Sequence, residues 1–180
     1  MENHDGLLPG TIWPDDGDDD AIQIREVYAR YGLAMYTAQT LEHGMVNALM
    51  GFTMLPSAKD FAHRQSWETS VDEYYESEFS KTFGKLVRAL SDIKNIPNNL
   101  IERLCEANRV RNMLAHAFFR EYADQFLSTH GRKEMIGCCE NAIATFQNAD
   151  EALDTLVKPI YEKYGITEGM LEKEFKRLRS

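Results

Sequence analysis

Apolar side chains recur every three or four residues along four long stretches of this 180-residue chain, a spacing that commits most of it to helix. The first stretch runs from Ala21 to about Leu55, with Ile24, Val27, Tyr28, Tyr31, Met35, Ala38, Leu41, Met45, Leu49 and Phe52 in step. Pro56 ends it, because proline has no amide hydrogen and its ring clashes with the preceding turn. Residues 57–72 show no clear period. A second stretch spans Glu73 to Ile93, with Phe79, Phe83, Leu86, Val87 and Leu90 on one side. Residues 94–99 read as a turn in which Asn98 or Asn99 caps a third helix, from Leu100 to about Leu127. Ser128–Gly131 interrupts, and a fourth helix follows from Arg132 to Tyr164, buried along Met135, Ala142, Phe146, Ala149, Leu153 and Leu156. Pro159 kinks or ends it. Gly165 is placed to cap it, and Thr167 opens a short charged helix reaching Ser180. No segment alternates with β-branched enrichment, so no sheet is expected. The expectation is an all-α fold, an up-and-down four-helix bundle with an additional short C-terminal helix.

The bundle is expected to be one domain over residues 21–180, behind an acidic tail over residues 1–20. That tail holds seven acids and no Lys or Arg, with Gly6, Pro9, Gly10, Pro14 and Gly17 breaking any helix. Asp19 or Asp20 is suited to cap the first helix. The Asp16–Asp20 run lacks the Gly and closing Glu of a calcium loop. The net charge of −9 argues against nucleic acid as a partner, but its distribution does not. Residues 81–120 carry eight bases (Lys81, Lys85, Arg88, Lys94, Arg103, Arg109, Arg111, Arg120) against three acids, a basic segment suited to an anionic ligand or simply two solvated helix faces. Three cysteines without C-x-x-C spacing support neither a disulfide framework nor structural zinc, and no E-x-x-H supports a di-metal bundle. With no membrane-length apolar run and no basic start to a signal peptide, the expected location is cytoplasmic.

Chemistry concentrates in the third helix, from Glu106 to Arg120. On an ideal helix Arg109, Asn112 and His116 form one polar stripe, while Arg111 lies roughly 140° around the axis from His116. An imidazole can take the proton of a ribose 2′-hydroxyl, a guanidinium can hold a phosphate bidentately, and an amide can orient either. The same residues also suit a purely structural role, with His116 buried and the arginines paired to Glu102 or Glu106. His43 and His63 stand apart and read as packing or surface residues, and Cys138–Cys139 as core or boundary thiols.

Arg111-Asn112-Met113-Leu114-Ala115-His116 resembles the R-N-x-x-x-H form of the motif of HEPN domains. Arg109, with six residues between it and His116, fits the looser form of the same motif. The resemblance implies an all-α bundle, often dimeric, of the kind found in toxin–antitoxin systems, phage defence and RNA processing. Carried onto this chain it makes Arg111 and His116 catalytic, with Asn112 in support, in a metal-independent endoribonuclease without cofactor. Lys85, Arg88, Arg109 and Arg120 are then the candidate ligands of RNA phosphates. The partners implied are RNA as substrate, a second copy sharing the cleft, and an antitoxin protein; no membrane is implied. The alternative is a non-catalytic helical module of the same family that binds protein, nucleotide or RNA, or a regulatory protein. Toxins that a partner nucleotidyltransferase modifies carry Tyr two residues after the His. Here that position is Phe118, which has no hydroxyl to modify.

Overall fold

The seams set by three-and-four spacing pair off in an order that the sequence pattern did not announce. A computed structural model describes residues 19–179, which are mostly helical, with no strand among them. The acidic stretch 1–18 lies outside the described residues, as does Ser180. Helix α1 spans Asp19–Ser57, α2 Arg64–Phe79, α3 Phe83–Ser91, α4 Asn98–His116, α5 Phe118–Glu121, α6 Thr129–Lys163 and α7 Glu168–Leu178. Short 3-10 turns sit at Ala58–Asp60 and Gln125–Leu127.

The two longest helices form the spine. On α1, Val27, Ala34, Ala38, Leu41, Met45 and Leu49 are buried; on α6, Met135, Cys139, Ala142, Phe146, Ala149, Leu153 and Val157. Both sets follow the alternating spacing of a helix–helix seam. Small residues bring the axes together at Gly44, against Asp150 and Leu153, and at Gly51, against the Tyr161 ring. Pairings rise together along both helices: Asp20 with Arg132, Arg30 with Glu140 and Asn47 with Tyr161. The spine is therefore parallel, whereas an up-and-down order would set the first and last long helices antiparallel.

The reversal that makes it parallel lies at Ser80–Thr82, inside what reads as one helix from Glu73 to Ile93. Helix α2 runs back along α1, its Tyr74, Tyr75 and Phe79 meeting Thr53, Asn47 and His43. The chain then turns, and Thr82 is extended while its carbonyl accepts from Lys85 and Leu86 to start α3. The turn lets Phe83, Leu86, Val87 and Leu90 face the core, which a straight continuation of α2 would not allow. Helix α2 itself begins at Arg64, in the segment without period, and among its residues only Glu78 is classed as buried. It is an external brace and leaves little apolar pattern to read.

Helix α4 returns antiparallel to α1 and α6 and stops at His116, eleven residues short of the expected end. Ala117 leaves the helical region at φ −129°, and α5 and the second 3-10 turn fold around an aromatic cluster. Phe118 is buried there and stacks on Tyr31 at 5.5 Å, with Tyr122 at 5.1 Å. Burying these rings outweighs continuing a helix whose next turn would point them elsewhere. Pro97, not Asn98 or Asn99, precedes α4, and neither asparagine caps it. Asp19 and Asp20 belong to α1 itself, and Asp20 pairs with the buried Arg132.

The interruption at Ser128–Gly131 is shorter than expected: α6 already starts at Thr129, and Ser128 caps it by accepting from the Gly131 amide at 3.1 Å. Two expectations at the C-terminal end hold. Helix α6 continues through Pro159 to Lys163 and closes with Gly165 at φ +79°, where the Ile166 and Gly165 amides donate to the Tyr161 and Glu162 carbonyls. Thr167 caps α7. No helix among the described residues is long and apolar enough to cross a membrane.

Candidate functional site

Residues Leu100, Leu104, Ala107, Leu114 and Phe118 form the buried seam of α4 and its continuation, spaced four, three, seven and four. Arg111 fills the gap in that series. Its guanidinium is therefore aimed along the α1 side of the bundle, where Nη2 stands 3.8 Å from Glu42 Oε1, and both side chains are largely shielded from solvent. A cation at a seam position needs such a partner, because burying it alone would be costly.

A chain of polar contacts extends from it. Arg111 Nη1 donates to Asn112 Oδ1 at 3.4 Å, and Asn112 Nδ2 donates to Asn108 Oδ1 at 3.4 Å. Asn108 lies against α3, where a Cβ at Gly84 would stand 3.3 Å from its Nδ2. The asparagine that follows Arg111 in sequence thus touches it. Asn108 was not among the sequence candidates. Its signal was present as an Asn four residues before Asn112, on the same helical face.

His116 is the last residue of α4, and it is exposed rather than buried. It stands roughly 140° around the axis from Arg111, as an undistorted helix requires. Arg109, the other candidate, points away from Arg111. It is bound to Glu106 through Nε at 2.8 Å, and the guanidinium beside it holds the Glu106 carboxyl below the usual carboxylate range. Both line a groove of about 720 Å³ between α4 and α6, with Val110, Met113, Tyr122 and Cys138. Lys85 and Arg88 are exposed on α3, and Arg120 on α5 pairs with Glu121 at 3.1 Å. The structure thus brings Arg111, Asn112 and Asn108 together, leaves His116 free at the helix end, and spreads the four other basic candidates over three helices.

The cysteines are graded by exposure. Cys105 is exposed, Cys138 half-buried and Cys139 buried, and burial pushes the Cys139 thiol up to about 12. Tyr122 is also raised, to about 12, by its hydrogen bond with Cys138 and by burial. A thiol reagent at pH 8 is expected to label Cys105 first and Cys138 more slowly, and Cys139 only after unfolding. Mass spectrometry of partially labelled protein checks the order. Among the described residues, no group of three or more His, Cys, Asp or Glu is placed to hold a metal ion. The chain matches no protein-family model, no curated protein and no solved structure.

Proposed function

We propose that the chain is a metal-independent endoribonuclease of HEPN type, a toxin or phage-defence effector that works as a homodimer. One observation carries the reading: the motif arginine is held in place by Glu42 and Asn112, while the motif histidine is exposed at the end of the same helix. A fixed guanidinium and an accessible imidazole are the two groups that cyclising cleavage needs. His116 takes the proton from a 2′-hydroxyl, the 2′-oxygen bonds to phosphorus, the bond to the 5′-oxygen breaks, and that oxygen takes a proton from water as it leaves. Arg111 binds the charge that builds on the phosphoryl oxygens. Because the two groups diverge around a single helix, a twofold pairing that sets Arg111 opposite the partner's His116 is part of the proposal.

The test is cleavage of single-stranded RNA in buffer containing EDTA, with the products read for 2′,3′-cyclic ends. His116→Ala is expected to lower the rate by about a thousandfold. Because the residue is exposed, its melting temperature should stay within about 2 °C of the parent. Activity at the same level in both preparations would trace it to a contaminant and sink the reading.

The second reading, a non-catalytic binding module, is favoured by one fact: Arg111 occupies a packing position with its own acid. Arg111→Met separates the two. Methionine suits the seam but leaves Glu42 without its cation, so Glu42→Gln is combined with it, and the doubly neutral pair should fold as well as the parent. Loss of cleavage with an intact melt supports the nuclease; a parent protein with no cleavage at all supports the module.

A further inference from the structure

Helix α1 carries a second seam, on the side turned away from its buried one. Ala29, Leu33, Tyr36 and Thr40 follow one another at four, three and four residues, and all are exposed, Leu33 at 45% and Tyr36 at 63%. They lie roughly 140° around the axis from Val27, Ala34, Ala38, Leu41 and Met45, which meet the core. The eleven residues from Tyr31 to Leu41 include no charged side chain, in a chain where 27% are charged. The threonine hydroxyls beside the seam turn back onto the helix. Thr37 donates to the Leu33 carbonyl at 2.8 Å and Thr40 to the Thr37 carbonyl at 2.8 Å, which leaves their methyls for contact. Helix α2 runs along α1 from Thr53 only as far as His43, where it ends with Phe79. An uncharged, exposed helix face is what a helix–helix contact needs and what a solvated face avoids.

We propose that this seam pairs with the same seam of a second copy, antiparallel, across a twofold axis between Leu33 and Tyr36. The order of side chains fits itself when reversed. Outward from that midpoint come Leu33 and Tyr36, then Ala29 and Thr40, then Glu26 and His43, the members of each pair equally distant from it. In an antiparallel pair Leu33 meets the partner's Tyr36, Ala29 the partner's Thr40, and Glu26 the partner's His43. Large side chains fill the middle, small ones flank them and let the helices close, and a carboxylate faces an imidazole at each end. Both end groups are already steadied: Glu26 accepts from Arg30 at 2.6 Å, and the His43 ring meets Phe79 edge-on at 4.9 Å. An unrelated partner would not require this symmetry, whereas a patch that must match itself does. The seam lies roughly 160° around α1 from Tyr31 and Glu42, which face α4. It is therefore a contact additional to the pairing of Arg111 with the partner's His116, and it does not depend on the nuclease reading. Two twofold contacts on one chain would build an assembly larger than a dimer.

Light scattering of the full chain during gel filtration, at low and high micromolar concentration, is expected to show association that weakens on dilution. Leu33→Glu combined with Tyr36→Glu, both at exposed sites, should raise the dissociation constant of this contact about tenfold or more with an unchanged circular dichroism spectrum. Disulfide trapping reads the register without relying on that variant. In a Cys105→Ser background, which removes the exposed thiol, chains with Ala29→Cys are mixed with chains with Thr40→Cys. The mixture should form crossed disulfides severalfold faster than either chain alone, because like positions stand about 16 Å apart along the paired helices. A parent that stays monomeric at every concentration overturns the proposal. So does association that survives both glutamates, or trapping no faster in the mixture than in the separate chains. Association through this seam in a protein that cleaves no RNA would sink the nuclease reading and leave the seam intact.

Discussion

Phe118→Ala is expected to destabilise the protein by about 3–5 kcal/mol, lowering its melting temperature by about 10 °C or more. Phe118 is 1% exposed and stands where the seam of α4 passes into the loop. It stacks on Tyr31 and meets Phe119 and Tyr122 edge-on or tilted at 5.1 Å. Those rings cannot all close on the vacated space, because two of the three are tied elsewhere: Tyr31 to the Leu114 carbonyl at 3.4 Å, and Tyr122 to Cys138. A cavity therefore remains, and its lining loses dispersion contacts as well as burial. Calorimetry reads the loss directly. Phe119→Ala, at a half-exposed ring one residue on, should cost far less. Equal losses at the two positions would contradict the described orientation of the loop.

Gly131→Ala should destabilise by about 2 kcal/mol, against the usual sign for such a change within a helix. A Cβ there would lie 2.2 Å from the Gln125 carbonyl oxygen and 2.5 Å from its Cα. The obstacle is backbone, which does not swing aside, and moving it would drag Phe126 off its bond from Arg132. Gly137, two turns on in α6, is the control. Nothing lies within 4 Å of a Cβ built there, so Gly137→Ala should stabilise by about 0.5–1 kcal/mol. Opposite signs in parallel urea titrations would confirm that the 3-10 turn is packed onto α6. Two stabilising substitutions would show that it is not.

Most of the residues that the long helices bury were legible because burial follows spacing along one element, although Tyr28 and Phe79, in step with the pattern, are 42% and 49% exposed. Met135, Ala142, Phe146, Ala149 and Leu153 needed only the three-and-four rule, and Gly165 and Thr167 only local turn chemistry. The direction of the chain was not legible. Whether Ser80–Thr82 continues a helix or reverses it depends on where Phe83 and Leu86 find their partners, on helices remote in sequence. The stop at His116 is similar, since Tyr28 and Tyr31 recruit the rings of Phe118 and Phe119 across some ninety residues. At the site, the motif itself was visible. Glu42 was not, because an ion pair between residues so far apart leaves no local mark. The seam position of Arg111 did leave one: a four-three-four-three-four series from Leu100 to Phe118 with a single cation in it.

The parallel spine has a consequence for how the protein is made. Val27, Ala34, Leu41 and Met45 find their covering surface on residues more than a hundred positions downstream, so they must wait for it while the ribosome completes the intervening helices. Contacts so distant along the chain are slow to close. Until Met135 and Phe146 emerge, the part of the α1 seam that α6 covers stays open, with only α2, α3 and α4 available to pack on that helix. Chains released before the final third is translated should be sticky, and the commonest fate of such fragments should be chaperone capture or aggregation rather than a smaller folded bundle.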